Sequence, residues 1–332
     1  MTVPRRTMLL SGLGLLAQGA APALAADPPV AIVMNSAGAT ISVIDMATHR
    51  TIRTVPVLRE PHHWALTPDG RELLVGDASG NALFRLDPRT GRSLGHRVIS
   101  DPYQLWFSPD SKWLVVNALR LNHVDVYDAQ GLRLHKRFYA SSMPSHLAFS
   151  PDGSMVYSTL QGTGKVVAID LTRMAVAWSR AVGPAPAGII WHGEKLLCAL
   201  MGGADVVELD PVDGHTTRRI PTGKGAHIIF PSPDGQVIYV GNRVAGTITR
   251  LDARSLKVEH LYTVPGGPDC IAFAPDGMMW ISRRWADSIA VMDPASGRYG
   301  LVATGRSPHG VFLSTILPAA ARNRAVLGTF SA

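Results

Sequence analysis

An alternating apolar run that ends in aspartate recurs seven times along the chain. It reads Ile41-Ser42-Val43-Ile44-Asp45, Leu83-Phe84-Arg85-Leu86-Asp87, Val124-Asp125-Val126-Tyr127-Asp128 and Val166-Val167-Ala168-Ile169-Asp170. It continues as Val206-Val207-Glu208-Leu209-Asp210, Ile248-Thr249-Arg250-Leu251-Asp252 and Ile289-Ala290-Val291-Met292-Asp293. Consecutive aspartates lie 42, 41, 42, 40, 42 and 41 residues apart. A fixed period near forty marks a repeat architecture, and four short strands fill one such unit. The length of 332 residues would suggest two domains, but the repeat runs through nearly all of it and leaves no room for a second core.

Each unit has the same internal grammar. A proline or glycine opens it, at Pro61, Pro102, Pro144, Pro186, Gly225, Pro268 and Pro308. A short apolar run follows, such as Leu105-Trp106-Phe107 or Ile271-Ala272-Phe273, and reads as the innermost strand. Then comes a turn, Thr67-Pro68-Asp69-Gly70, Ser150-Pro151-Asp152-Gly153, Ser232-Pro233-Asp234-Gly235 or Ala274-Pro275-Asp276-Gly277. Proline presets the backbone at the second turn position and glycine takes the left-handed one. A second strand, the aspartate-ending third strand and a polar fourth strand complete the unit, and polar residues suit an outer edge that must not recruit other strands. The recurring aspartates are expected to brace turns rather than to act as catalytic carboxylates.

The first third strand arrives without an inner strand of its own, and the last inner strand, after Pro308, arrives without the rest. Gly310–Leu313 should therefore complete the unit begun at 31–57. Closure by a shared unit predicts an all-β, seven-bladed β-propeller of four-stranded blades over residues 26–315, with a C-terminal extension at 316–332. The units resemble the YVTN-type propeller repeat in the Pro308-His309-Gly310 opening, the Ser150–Gly153 turn and the second strand Tyr239-Val240-Gly241-Asn242, where glycine replaces threonine. The resemblance covers residues 30–314. It implies kinship with periplasmic YncE-like propellers and, more distantly, lactonase-like ones, a group that spans partner-binding proteins, lactonases, dehydrogenase subunits and the haem-binding part of a nitrite reductase.

Residues 1–25 read as an export signal: Arg5-Arg6, an apolar stretch to Ala21 and an Ala23-Leu24-Ala25 cleavage site. The arginine pair resembles a twin-arginine signal, with an ordinary secretory signal as the alternative. The stretch is rich in Gly and Ala and holds Gln18, so no transmembrane anchor is expected. Its removal lowers the formal charge from +7 to +5, a mild basicity that favours anionic partners without naming one. A periplasmic, monomeric protein is the expectation. The two cysteines, Cys198 and Cys270, fall in the fifth and seventh units with a whole unit between them and are expected to stay unbridged.

Topology places the loops that lead into inner strands, and the turns from second to third strands, on one face at the mouth of the central channel. The fourteen positions just after the opening residues hold His62, His63, His146, His227 and His309, five of the chain's twelve histidines. The second-to-third turns add Arg243, Arg283 and Arg284. Guanidinium groups grip carboxylates or phosphates, and imidazoles ligate metals or move protons. These eight residues are the candidate ligand-binding set. No metal is expected, since the histidines come from different units across a channel and no C-x-x-C or H-x-x-x-H spacing accompanies them. Covalent c-type haem is excluded because C-x-x-C-H is absent. The chain also lacks a G-x-S-x-G elbow and a Walker loop, and it has no basic run of the kind that binds nucleic acid. The expected function is a scaffold that binds a small anion or a partner protein through the His/Arg face. The alternative is an enzyme, a lactonase-like hydrolase or a cofactor-dependent oxidoreductase, at the same face. A hydrolase would show acid and histidine converging there; a scaffold would show a dispersed polar funnel.

Overall fold

The computed structural model describes residues 28–317. The export signal and most of the C-terminal extension lie outside them. The described chain forms seven four-stranded antiparallel sheets in a ring. Blade 1 is assembled from both ends, with strands Val30–Asn35, Thr40–Asp45 and Arg50–Pro56 joined by the inner strand Pro308–Leu313. The pairing is Ala31 with Leu313, Ile32 with Phe312 and Val33 with Val311, as the shared-unit closure requires. Blades 2 to 7 follow in chain order, with inner strands Pro61–Leu66, Gln104–Phe107, Pro144–Phe149, Pro186–His192, Ala226–Pro231 and Pro268–Phe273.

Each of the seven junctions between neighbouring blades holds its own apolar cluster. Alternation along each strand sends successive side chains to opposite junctions. In the closing strand Phe312 enters the cluster shared with blade 2, while Val311 and Leu313 enter the one shared with blade 7. The outer strands carry little of this load, and Ser93–Val98 is exposed throughout.

The recurring aspartates brace the turn into the outer strand. Asp45 Oδ1 accepts the amides of Ala47 and Thr48, Asp128 Oδ1 those of Gln130 and Gly131, and Asp170 Oδ1 those of Thr172 and Arg173. Asp87, Asp210, Asp252 and Asp293 each hold at least one such amide. The fourth turn position is left-handed, with φ of 70° at Gly70 and 73° at Gly153. Ser111 takes the same conformation at φ 60° in the copy that lacks glycine. Both cysteines are free and buried, Cys198 in the second strand of blade 5 and Cys270 in the inner strand of blade 7. Among the described residues no helix is long and apolar enough to cross a membrane.

Candidate functional site

The inner strands begin irregularly, and this builds the site. Pairing shifts register between Pro61 and Trp64, Pro144 and Leu147, Pro186 and Ile189, Ala226 and Ile228, and Pro268 and Ile271. A bulge inserts an extra residue and breaks the strict alternation of faces. Consecutive side chains such as His62 and His63 are then both buried at the channel, 3% and 6% exposed. The strands also come unusually close. A Cβ on Gly310 would lie 2.6 Å from the His62 carbonyl oxygen, and one on Gly188 2.7 Å from that of His227.

The outcome is a plug of imidazoles across the neck. His309 of blade 1 packs against His62 and His63 of blade 2, with ring centroids 4.3 and 4.5 Å apart. His63 meets His146 of blade 4 at 5.2 Å, and His146 meets His227 of blade 6 at 5.1 Å. Tyr103 of blade 3 lies 4.5 Å from His62. The histidines come from different blades across the channel, as the sequence implies. The bulged openings narrow the neck, so imidazoles from alternate blades touch edge to face.

One buried carboxylate organises the other half of the plug. Asp269, fully buried in blade 7, accepts a hydrogen bond from Arg243 Nη2 at 2.7 Å. His227 Nδ1 lies 2.9 Å from its Oδ1, His309 Nε2 3.4 Å from its Oδ2, and Arg284 Nη1 3.8 Å from its Oδ2. Burial alone would push this carboxyl up. The Arg243 charge overcomes burial and holds it well below the usual carboxylate range. Burial and the Arg243 charge push His227 down to about 4. His63, His146 and His309 also lie well below the ordinary histidine value, with burial the first cause in each. The plug is therefore five neutral imidazoles, one carboxylate and two guanidinium groups.

Several of its polar atoms have no hydrogen-bond partner among the described residues although they are buried. They are His62 Nδ1, His63 Nε2, His146 Nε2, both nitrogens of His309, Arg243 Nε, Arg284 Nη1 and Asp269 Oδ1. Buried polar groups are normally satisfied, so such a concentration points to a ligand or ordered water at this place.

Seven of the eight candidate residues meet in the plug. Arg283 does not: its guanidinium donates to the Pro265 carbonyl and to Ser288 Oγ, bracing its own turn. Outside the candidate set are Asp269 and Tyr103 in the plug and Glu60 at its edge. Asp269 stands among the fourteen opening positions but was not singled out, and Glu60 lies just ahead of the opening proline. Glu60 Oε1 is 3.0 Å from His62 Nε2, its Oε2 accepts from Arg120 at 2.6 Å, and Ser79 Oγ also donates to it. Burial works against ionisation of Glu60, but these bonds hold its carboxyl far below the usual range. An acid one residue before a blade-opening proline recurs only at Asp101, which takes the amides of Arg120 and Leu121. That offset was the available signal. Glu60 and Arg284 also line a shallow depression of about 490 Å³ on this face, together with Ser36, Arg59, Ser79 and Ser307.

A family model described as YncE-like β-propeller matches residues 9–319. No curated protein matches the chain by sequence. Among solved structures, the periplasmic gluconolactonase PpgL of Pseudomonas aeruginosa is 20% identical with a TM-score of 0.70, over 87% of this chain and 99% of that one. A functionally unknown protein from Desulfotomaculum acetoxidans is 15% identical with a TM-score of 0.73, over 86% and 98%. The dihydro-heme d1 dehydrogenase NirN, in complex with DHE, is 15% identical with a TM-score of 0.66, over 94% and 78%. At these identities the likeness is one of fold.

Proposed function

This chain belongs to the YncE-like β-propeller family, and on that premise we propose that it is an exported, periplasmic protein that binds a small anionic ligand at the His/Arg plug of its channel. One observation carries the reading. Two guanidinium groups share a single buried carboxylate, and Arg284 Nη1 is left 3.8 Å from it with no hydrogen bond. Arg243 and Arg284 against Asp269 leave one positive charge in excess. A carboxylate or phosphate oxygen beside Arg284 would complete that balance in a site largely removed from water, where charge-assisted bonds are strong. The depression beside Arg284 is lined on the solvent side by Arg59 and Ser307, while the hydroxyls of Ser36 and Ser79 already donate to the Pro61 carbonyl and to Glu60. Export rests on the arginine-bearing signal, and the described periplasmic origin of PpgL agrees with it.

Calorimetric titration of the chelator-treated protein with citrate and with inorganic phosphate tests this. Binding of either, weakened about tenfold or more in Arg284→Ala, is the expected result, since a charge-assisted bond contributes about 1.5–3 kcal/mol. Failure of both anions to bind would overturn it.

The hydrolase reading gains support from the convergence of Asp269 and His227, which departs from a dispersed funnel. His227 Nδ1 lies 2.9 Å from the carboxylate and its Nε2 lies 3.0 Å from Arg243 Nη2, so the imidazole would take a proton from water only once Arg243 releases that nitrogen. Hydrolysis of a sugar lactone, lost in His227→Gln, would favour it; a wild-type rate equal to the spontaneous one would remove it.

A further inference from the structure

We infer that His62, His63 and His309 form a binding site for a divalent first-row transition metal, of zinc or copper type, in the neck of the channel. The inference goes beyond the anion reading and stands without it.

The geometry comes first. One ring nitrogen from each of the three residues lies within 4.8 Å of the others. The residues are 3%, 6% and 0% exposed. Zinc–nitrogen bonds of about 2.0–2.1 Å place two tetrahedral ligand atoms roughly 3.3 Å apart. Rotations of the rings that move each nitrogen by about 1 Å would close the set on one ion.

Unpartnered ring nitrogens are the second observation. His62 Nδ1, His63 Nε2 and both nitrogens of His309 are buried without a partner. Three neighbouring imidazoles with no acceptor or donor for these atoms make a poor resting arrangement for a core built only for packing.

Orientation is the third. Glu60 Oε1 lies 3.0 Å from His62 Nε2 and engages that nitrogen, which leaves Nδ1, the atom without a partner, for a metal. Arg120 at 2.6 Å and Ser79 fix the Glu60 carboxylate in turn. A carboxylate that holds the far nitrogen of a ligating histidine is the usual support of a metal site. Asp269 Oδ2 lies 3.4 Å from His309 Nε2 without a hydrogen bond.

The donor set selects the metal. Neutral imidazoles suit zinc, copper, nickel and cobalt, whereas calcium and magnesium require oxygen. Three histidines leave a further position open. His146, with Nε2 free and its ring 5.2 Å from His63, borders it.

The test uses the chelator-stripped mature protein and metal ions alone. Zinc should bind one per chain by calorimetry, and cobalt should give visible ligand-field absorption of low-symmetry coordination. His63→Gln and His309→Gln should each weaken zinc about 100-fold or more. Glu60→Gln, a milder change at a partly exposed residue, should weaken it about 10- to 100-fold and serves if the histidine variants do not fold. Asp213→Asn addresses the exposed cluster Asp210, Asp213 and His215 and should change nothing. Absence of zinc, copper and cobalt uptake by the wild type would overturn the inference. So would unchanged affinity in folded His63→Gln and Glu60→Gln. The anion titration described above uses metal-free protein, so failure of one reading leaves the other separately tested.

Discussion

Asp269→Asn keeps the shape of the side chain and removes its charge. In the wild type this fully buried carboxylate faces Arg243 at 2.7 Å, His227 at 2.9 Å, His309 at 3.4 Å and Arg284 at 3.8 Å. The variant leaves two guanidinium groups, 13% and 19% exposed, without a counter-charge. Removing one partner of a buried pair is destabilising by about 3–5 kcal/mol, because the remaining charge stays desolvated and unpaired. At about 2.1 cal/mol/K per residue, a domain spanning residues 28–317 has an unfolding entropy of roughly 0.6 kcal/mol/K, so the melting temperature should fall by about 5–8 °C. The pH dependence carries a second signature. The folded pKa of Asp269 lies below its unfolded value, so its contribution is fully present above that value and is lost as pH falls through the folded pKa. The difference between wild type and variant should therefore be largest near neutrality and shrink at strongly acid pH, below the unfolded carboxylate value of about 3.9. Thermal melts by circular dichroism, in chelator and at several pH values, read both effects. A variant that melts within about 1 °C of the wild type at pH 7 would refute the view that Asp269 neutralises the plug, as would a difference that does not change with pH.

Truncation before Pro308 removes Phe312 from one junction and Val311 and Leu313 from another; the chain should aggregate, and a folded monomer by size-exclusion chromatography with unchanged melting temperature would contradict that. Burial pushes the thiols of Cys198 and Cys270 up, so both should resist a thiol reagent in the native protein and both should titrate on denaturation without reductant. Changing Arg5 and Arg6 together to lysine should leave uncleaved precursor in the cytoplasm by immunoblot; unchanged export would assign the chain to the general secretory route.

The repeat makes the ring legible and leaves its axis obscure, and the two have one cause. A period near forty, a left-handed turn residue and a terminal aspartate are local properties, so Gly153 at φ 73° and Asp170 with its two amides act as isolated repeats would lead one to expect. The closing strand was legible for a related reason: a missing inner strand at one end and a surplus one at the other have a single solution. The plug differs, because it depends on how far side chains reach across the neck, and that depends on bulges in several inner strands at once. A bulge is a relation between two strands rather than a residue type, so nothing in Pro61-His62-His63 announces that both imidazoles turn inward. The pair Arg283 and Arg284 makes the same point at the scale of one residue. Arg283 ends a strand and Arg284 opens the turn after it, yet one guanidinium braces Pro265 and Ser288 while the other stands 3.8 Å from Asp269. Position in the repeat decides which residues come near the axis. Charge and register across different blades decide which of them meet, and in this chain a single carboxylate from blade 7 draws arginines of blades 6 and 7 and histidines of blades 1 and 6 into one cluster.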